Sequence, residues 1–233
     1  MKPKLLAMVV LTALLASQGM ASSKEVEDLL AKMRNAYKSV KTARFRTKVD
    51  ALGQKRFRNR VVVDVLYQAP KMLTLRAMRP GEVYESLVSD GRRILKVTAR
   101  SETQVDIATI DTLTGGLPIN LESICFFDWK RQLSTDVGCN MHTSQLGIKQ
   151  GQVWNGKTWL VLTEAAPGRS GMTLLEYYID PKTYLIWRVI GHLQDGEKTV
   201  DAYLMNLSVN VPVKVEAFKM PAGRNVAMNA VAR

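Results

Sequence analysis

Few residues of this chain could take part in bond-making chemistry. Its two histidines, His142 and His192, lie far apart. His142 stands among Asn140, Met141 and Thr143, and His192 falls near the end of a strand-like segment. Neither has an Asp, Cys or Ser at the spacing of a nucleophilic dyad or triad. Asp106 and Asp111 could do acid/base work as a carboxylate pair, but at a loop-to-helix boundary such residues serve as caps or solvated charges. Gly115-Gly116-Leu117-Pro118 is too short to cradle phosphate, and it does not join a strand to a long helix. There is no G-x-S-x-G, no H-E-x-x-H and no dinucleotide fingerprint. Cys125 and Cys139, with two distant histidines, give no metal-ligand spacing. They form either one disulfide, closing a loop of about 15 residues and worth ~3 kcal/mol, or two buried thiols. The expectation is a protein that is not an enzyme and needs no cofactor.

Charge offers more. Lys and Arg number 33 against 21 Asp and Glu. The densest stretch holds Lys41, Arg44, Arg46, Lys48, Lys55, Arg56, Arg58 and Arg60 against one acid, Asp50. On two paired strands, alternation would put Arg44 and Arg46 on one face and Arg56 and Arg58 on one face. That surface is either a solvated outer face or a docking surface for anionic lipid or a membrane-protein partner.

The elements that would position these residues begin with a leader. Lys2 and Lys4 precede an apolar run, Leu5 to Leu15, broken only by Thr12, and small residues Gly19 and Ala21 follow. This is the pattern of a signal peptide over 1–21, cleaved before Ser22. The run is too short to span a bilayer as a helix. No cysteine follows it directly, so a lipid anchor is not expected. Cleavage leaves 212 of the 233 residues and takes the net charge from +12 to +10. An exported basic protein is expected to meet anionic lipid or an acidic protein surface rather than nucleic acid.

Residues 22–233 read as one domain. Val26, Leu29, Leu30, Met33, Tyr37 and Val40 recur at steps of three and four, predicting an amphipathic helix over 24–40. From Ala43 the period becomes two. Strands are predicted at 43–52, 58–67, 70–79, 83–89 and 92–99, and again at 146–154, 157–165, 172–180, 184–194 and 197–209. Asp90-Gly91, Asn155-Gly156, Asp180-Pro181 and Asp195-Gly196 mark turns between them. Between the two sets, Leu121, Ile124, Cys125, Phe126, Phe127 and Trp129 suggest a short apolar helix, either a core plug or a lid. The predicted class is α+β: a single strongly curved antiparallel sheet, an incomplete β-barrel, with the N-terminal helix and the mid-chain helix covering its concave side.

The order of motifs resembles a known family. The helix, the basic hairpin, Tyr67-Gln68-Ala69-Pro70-Lys71-Met72-Leu73-Thr74-Leu75, Leu87-Val88-Ser89-Asp90-Gly91, Tyr178-Ile179-Asp180-Pro181-Lys182 and Phe218-Lys219-Met220-Pro221-Ala222-Gly223 resemble the periplasmic outer-membrane lipoprotein carriers, LolA and its relatives. The resemblance implies a monomeric periplasmic carrier whose apolar cavity shields the acyl chains of a lipid or lipidated protein. It also implies inward cavity residues at Leu73, Leu75, Leu87, Leu174, Trp187, Val189 and Leu204, with Ile124, Phe126 and Phe127 in the lid. The carrier proper has an arginine before the proline of the first tract and an aromatic residue three positions after it; here these are Ala69 and Leu73. RseB, a relative with this fold, points to an alternative role as an envelope sensor or adaptor that binds an inner-membrane or outer-membrane protein partner.

Overall fold

The computed structural model describes residues 23–51, 59–79, 82–98, 102–106, 146–169 and 172–219. The leader, the mid-chain helix, Cys125, Cys139, Ile124, Phe126, Phe127, Arg56 and Arg58 lie outside these residues.

Helix α1 (Ser23–Ser39) forms where the apolar stripe demands it. Val26, Leu29, Leu30, Met33 and Tyr37 are buried along one side, while Lys24, Glu25, Glu27, Asp28, Lys32 and Lys38 are exposed on the other. Glu25 in the first turn and Lys38 in the last suit the helix dipole.

The strands run β1 (Thr42–Ala51), β2 (Asn59–Gln68), β3 (Met72–Arg79), β4 (Glu82–Asp90), β5 (Arg93–Thr98), β6 (Glu102–Asp106), β7 (Leu146–Trp154), β8 (Lys157–Arg169), β9 (Met172–Ile179), β10 (Ile186–His192) and β11 (Lys198–Val209). Among the described residues they make one curled antiparallel sheet in the order β6-β5-β4-β3-β2-β1-β11-β10-β9-β8-β7. Two meanders are thus joined at the β1·β11 pair, with β6 and β7 at the edges of the sheet. Bulges interrupt the register between Arg46 and Thr47, Ala77 and Met78, Ile186 and Arg188, and Lys149 and Gln152. Each inserts extra backbone into one strand and bends the sheet, which is how a long antiparallel sheet comes to curl.

Alternation along the strands then gives the sheet two different faces. The concave row on β1 is Ala43, Phe45, Thr47 and Val49, and on β2 it is Val61, Val63, Val65 and Tyr67, all buried. Register carries these rows across to β4: Val65 opposes Leu75, which opposes Leu87, while Tyr67 opposes Leu73, which opposes Ser89. With Leu162, Leu175, Tyr177, Ile179, Val189, Ala202 and Leu204 from the other meander, they share one hydrophobic cluster with α1. A smaller apolar patch lies on the convex side, where Val88, Leu95 and Val97 are buried and a 3-10 turn, Val215–Phe218, packs over β3 and β4. Phe218 is fully buried, and Thr74 Oγ1 donates to Ala217 O at 2.9 Å.

Candidate functional site: an apolar inner face and an aromatic outer face

The inner face is built from residues with nothing to offer but surface. Leu73, Leu75 and Leu87 are fully buried, and Val189 and Leu204 nearly so, all in the cluster that α1 caps. Two expected residues stand elsewhere. Leu174 is half-buried on the convex row with Glu176 and Tyr178; it is Leu175 that points inward. Trp187 is the additional residue of the β9·β10 bulge. Its ring centroid lies 6.1 Å from that of Trp159 on the convex side, and its buried Nε1 has no hydrogen-bond acceptor among the described residues. The side chain still packs against the rim of the core.

Helix α1 is held over this wall chiefly by apolar packing. A buried polar contact also ties it to the sheet: the Ile186 N–H, next to the Trp187 bulge, donates to Tyr37 Oη at 3.1 Å. Lys32 Nζ also sits 5.4 Å above the Tyr184 ring in the β9–β10 turn. Burial pushes the Tyr67 phenol up to about 12, so this wall residue stays neutral at any physiological pH.

Two polar pairs lie on the inner face of the described residues. On β8 and β9, Tyr177 Oη donates to Glu164 Oε2 at 2.6 Å. On β4 and β5, Lys96 Nζ lies 2.9 Å from Glu85 Oε1, the lysine side chain 34% exposed and the glutamate 7%. The ammonium meets that buried oxygen as a neighbouring charge, outside hydrogen-bond alignment.

The outer face of the second meander is not the polar surface that a one-sided sheet would show. Trp154 lies 5.2 Å from Trp159, 6.1 Å from Tyr178 and 5.8 Å from Tyr203, centroid to centroid. The Arg188 guanidinium stacks 5.0 Å from the Trp154 ring and 5.3 Å from Tyr178. It also makes a two-point pair with Asp201, whose hydrogen bond holds the guanidinium above its ordinary value. Beside this cluster a cleft of about 280 Å³ is lined by Lys157, Thr158, Trp159, Asp180, Pro181 and Lys182. No periodicity in the sequence announced the grouping, because its members come from β7, β8, β9, β10 and β11 and meet only through register.

The basic hairpin is arranged differently from the expectation. Arg44, Arg46 and Lys48 do share the convex face of β1, with Arg44 and Arg46 exposed. Their partners on β2 are Leu66, Asp64 and Val62, and Arg56 and Arg58 lie outside the described residues. Asp64 takes Arg46 in a two-point pair, and Lys48 reaches both Asp50 (3.1 Å) and Tyr203 Oη (3.1 Å). Neighbouring acids therefore neutralise two of the three cations, which removes the cross-strand repulsion an all-basic hairpin would suffer.

His192 is held by its neighbours. Its Nε2 lies 3.2 Å from Glu176 Oε2 and its Nδ1 3.3 Å from Gly196 O. Burial pushes the Glu176 carboxyl up, but the hydrogen bonds and charges of Lys149 and His192 outweigh it and hold it below its usual value. Among the described residues no group of His, Cys, Asp and Glu is placed to hold a metal, and no helix is long and apolar enough to cross a membrane.

No family model matches the sequence, and no curated protein matches it. Solved structures do match the fold. An uncharacterised conserved protein from Thermus thermophilus superposes with a TM-score of 0.55 at 8% identity, over 86% of this chain and 96% of that one. MucB superposes with a TM-score of 0.51 at 13% identity, over 88% of this chain and 65% of that one. A chain of the Pseudomonas aeruginosa MucA/MucB complex gives 0.50 at 12% identity, over 85% and 62%. This chain thus spans a little under two thirds of the MucB chains it matches. These likenesses are of fold, and the fold is a divergent LolA/RseB-like one.

Proposed function

We propose that the protein is a carrier in the bacterial envelope that holds the acyl chains of a lipid or lipidated protein between the inner face of its sheet and α1. The observation that carries this reading is the pairing of a long apolar wall with a thin cover. Among the described residues, a curled sheet whose inner rows are Leu, Val, Phe and Tyr is covered by the amphipathic helix α1. The wall needs no specific polar contact to hold a hydrocarbon tail, since each buried methylene contributes ~0.8 kcal/mol. Opening requires only that α1 swing aside and that acyl chains take over the contacts it gives up. The reading includes export to the periplasm, action as a monomer and no chemistry of its own. Mass spectrometry of protein isolated from its own envelope tests it, together with displacement of an apolar fluorescent dye by long-chain amphiphiles. Co-purifying lipid and dye displacement are expected; protein that carries no lipid and binds no dye would refute the idea.

A second reading, that of an adaptor which binds a membrane-protein partner, is favoured by the outer face. Trp, Tyr and Arg are the side chains enriched at interface hot spots, and Trp154, Trp159, Tyr178 and Arg188 lie together there. MucB, which has this fold, has been solved together with MucA. Under this reading Trp154→Ala abolishes partner binding and leaves lipid uptake unchanged.

A further inference from the structure

The cleft beside the outer aromatic group has no part in holding hydrocarbon, and its walls carry charge. It measures about 280 Å³ and is lined by Lys157, Thr158, Trp159, Asp180, Pro181 and Lys182. Two tight turns shape it. Asn155 and Gly156 take positive φ between β7 and β8. Between β9 and β10 the Asp180 carboxylate accepts the Lys182 N–H at 2.8 Å, and its carbonyl accepts the Tyr184 N–H at 2.8 Å. Trp159 is 5% exposed and its Nε1 donates to Trp154 O at 2.9 Å, so the wall it forms is fixed. The two lysines differ from those on the strands. Lys48, Lys96 and Lys149 each meet an acid at 3.1 Å or less, whereas Lys157 and Lys182 are exposed and their ammonium groups make no ion pair or hydrogen bond among the described residues. The cleft thus offers two unanswered cations beside a rigid apolar wall.

We propose that this cleft takes the phosphate of an anionic phospholipid at a membrane surface and so docks the carrier there. This rests on the carrier reading and names where the carrier meets its membrane. A cleft of this size falls just below the range for whole small molecules, so it suits a head group whose tails stay in the bilayer. Lysine answers phosphate as a point charge with three donors, and tryptophan favours the boundary between water and hydrocarbon. Position selects a membrane over an acidic protein. Leu160 near the start of β8 opposes Ile179 at the end of β9, so the β7–β8 and β9–β10 turns lie at one end of the sheet. The β9–β10 turn also carries Tyr184, beneath Lys32 of α1, and leads into Ile186, whose N–H donates to Tyr37 of α1. Seating the cleft on head groups therefore brings two contacts that hold α1 to the bilayer surface, where acyl chains enter or leave. An excess of Lys and Arg, 33 against 21 acids, draws the protein toward such a surface from a distance. The two lysines of the cleft set which end arrives first.

The experiment uses protein isolated from its own envelope and stripped of lipid, floated with vesicles of phosphatidylcholine alone or mixed with phosphatidylglycerol. Wild type should bind the mixed vesicles in preference to the neutral ones. The double variant Lys157→Gln with Lys182→Gln should bind the mixed vesicles roughly 30-fold more weakly, the combined effect of two lysines near an anionic surface. Both side chains are exposed, so the variant keeps its fold. A matched variant, Lys198→Gln with Lys214→Gln, removes the same charge from exposed positions outside the cleft. It should lose about twofold at most in physiological salt, where charges beyond a Debye length of ~8 Å from the surface are screened. The cleft variant should also bind apolar dye from solution as wild type does, since the inner wall is untouched. Equal flotation with both kinds of vesicle, or equal losses in the two double variants, overturns the docking site while dye binding keeps the carrier standing. Wild type that binds no dye overturns the carrier reading and this one with it. Soluble polyglutamate that binds wild type and not the cleft variant, with vesicles showing no such difference, gives the cleft to an acidic protein and likewise overturns the proposal.

Discussion

The hydroxyl of Tyr37 gives the most direct handle on whether α1 moves. Tyr37 is fully buried, and its oxygen accepts the Ile186 N–H at 3.1 Å. Tyr37→Phe keeps the ring and its apolar contacts but leaves that buried donor without its partner, at a cost of about 1–3 kcal/mol. If α1 undocks while the sheet stays folded, water satisfies the Ile186 N–H in the undocked state and the whole cost falls on docking. The population with α1 displaced then rises by roughly 5- to 150-fold, at tenfold per 1.4 kcal/mol. Native-state hydrogen exchange reads this out directly. Amides of Val26 to Lys38 should exchange faster by that factor while those of β8 and β9 accelerate less, and apolar dye should bind the variant faster in proportion. The reasoning fails if helix and sheet accelerate together by the same factor, for then α1 comes away only on global unfolding and cannot serve as a door.

Other expectations follow from the same contacts. Leu75→Ala, at a fully buried wall position, should destabilise the protein by about 2–5 kcal/mol, and phospholipid added to the variant should recover part of that loss by filling the space. A melting temperature equally low with and without lipid would argue that no tail reaches this site. Arg188→Ala should cost about 2 kcal/mol, a value set below that of a fully buried pair because its partner Asp201 keeps some solvent contact. That corresponds to a fall in melting temperature of roughly 4–8 °C, and loss of the stacked cation should change Trp154 fluorescence. Glu176 has a folded-state value held below its ordinary 4.5, so its ionised form stabilises the fold at neutral pH and that contribution fades as pH falls below about 4.5 through the folded value. Urea titrations of wild type and Glu176→Gln should therefore differ most at neutral pH and converge in acid; a constant gap down to pH ~2 would contradict the assignment.

Much of the fold was legible from spacing because few residues had to be read together. The stripe of α1 and the ten strands expected from period two all appear, and Asn155-Gly156 forms the expected tight turn, with φ of 49° and 70°. At Asp90-Gly91 only the glycine takes positive φ, while the aspartate carboxylate accepts the N–H groups of Arg92 and Arg93. The eleventh strand, β6, was missed because Glu102-Thr103-Gln104-Val105-Asp106 is nearly all polar and depends on β5 for its pairing. The 3-10 turn at Val215–Phe218 escaped notice because its stability comes from one buried phenylalanine on a distant sheet surface. Errors at the site share another cause. Leu174 and Leu175 are indistinguishable by type, and a bulge at Trp187 shifts the parity that inward or outward assignment relies on. The arginines of β1 were placed on the correct face, but their cross-strand partners depend on hairpin length, which composition does not reveal.

The same dependence on register explains why the two faces differ in what they can do. On the inner side neighbours are interchangeable hydrocarbons, so a change in curvature rearranges contacts without breaking any particular one, which suits the proposed binding of acyl chains. Outside, Arg188 needs Trp154, Tyr178 and Asp201 all in place at once, and these come from β7, β9, β10 and β11. That constellation survives only if the four strands keep their register, which makes the second meander the rigid half. If the protein holds acyl chains as proposed, α1 is the described element whose apolar contacts could be exchanged for acyl chain, while the stacked arginine keeps the strands of the second meander in register.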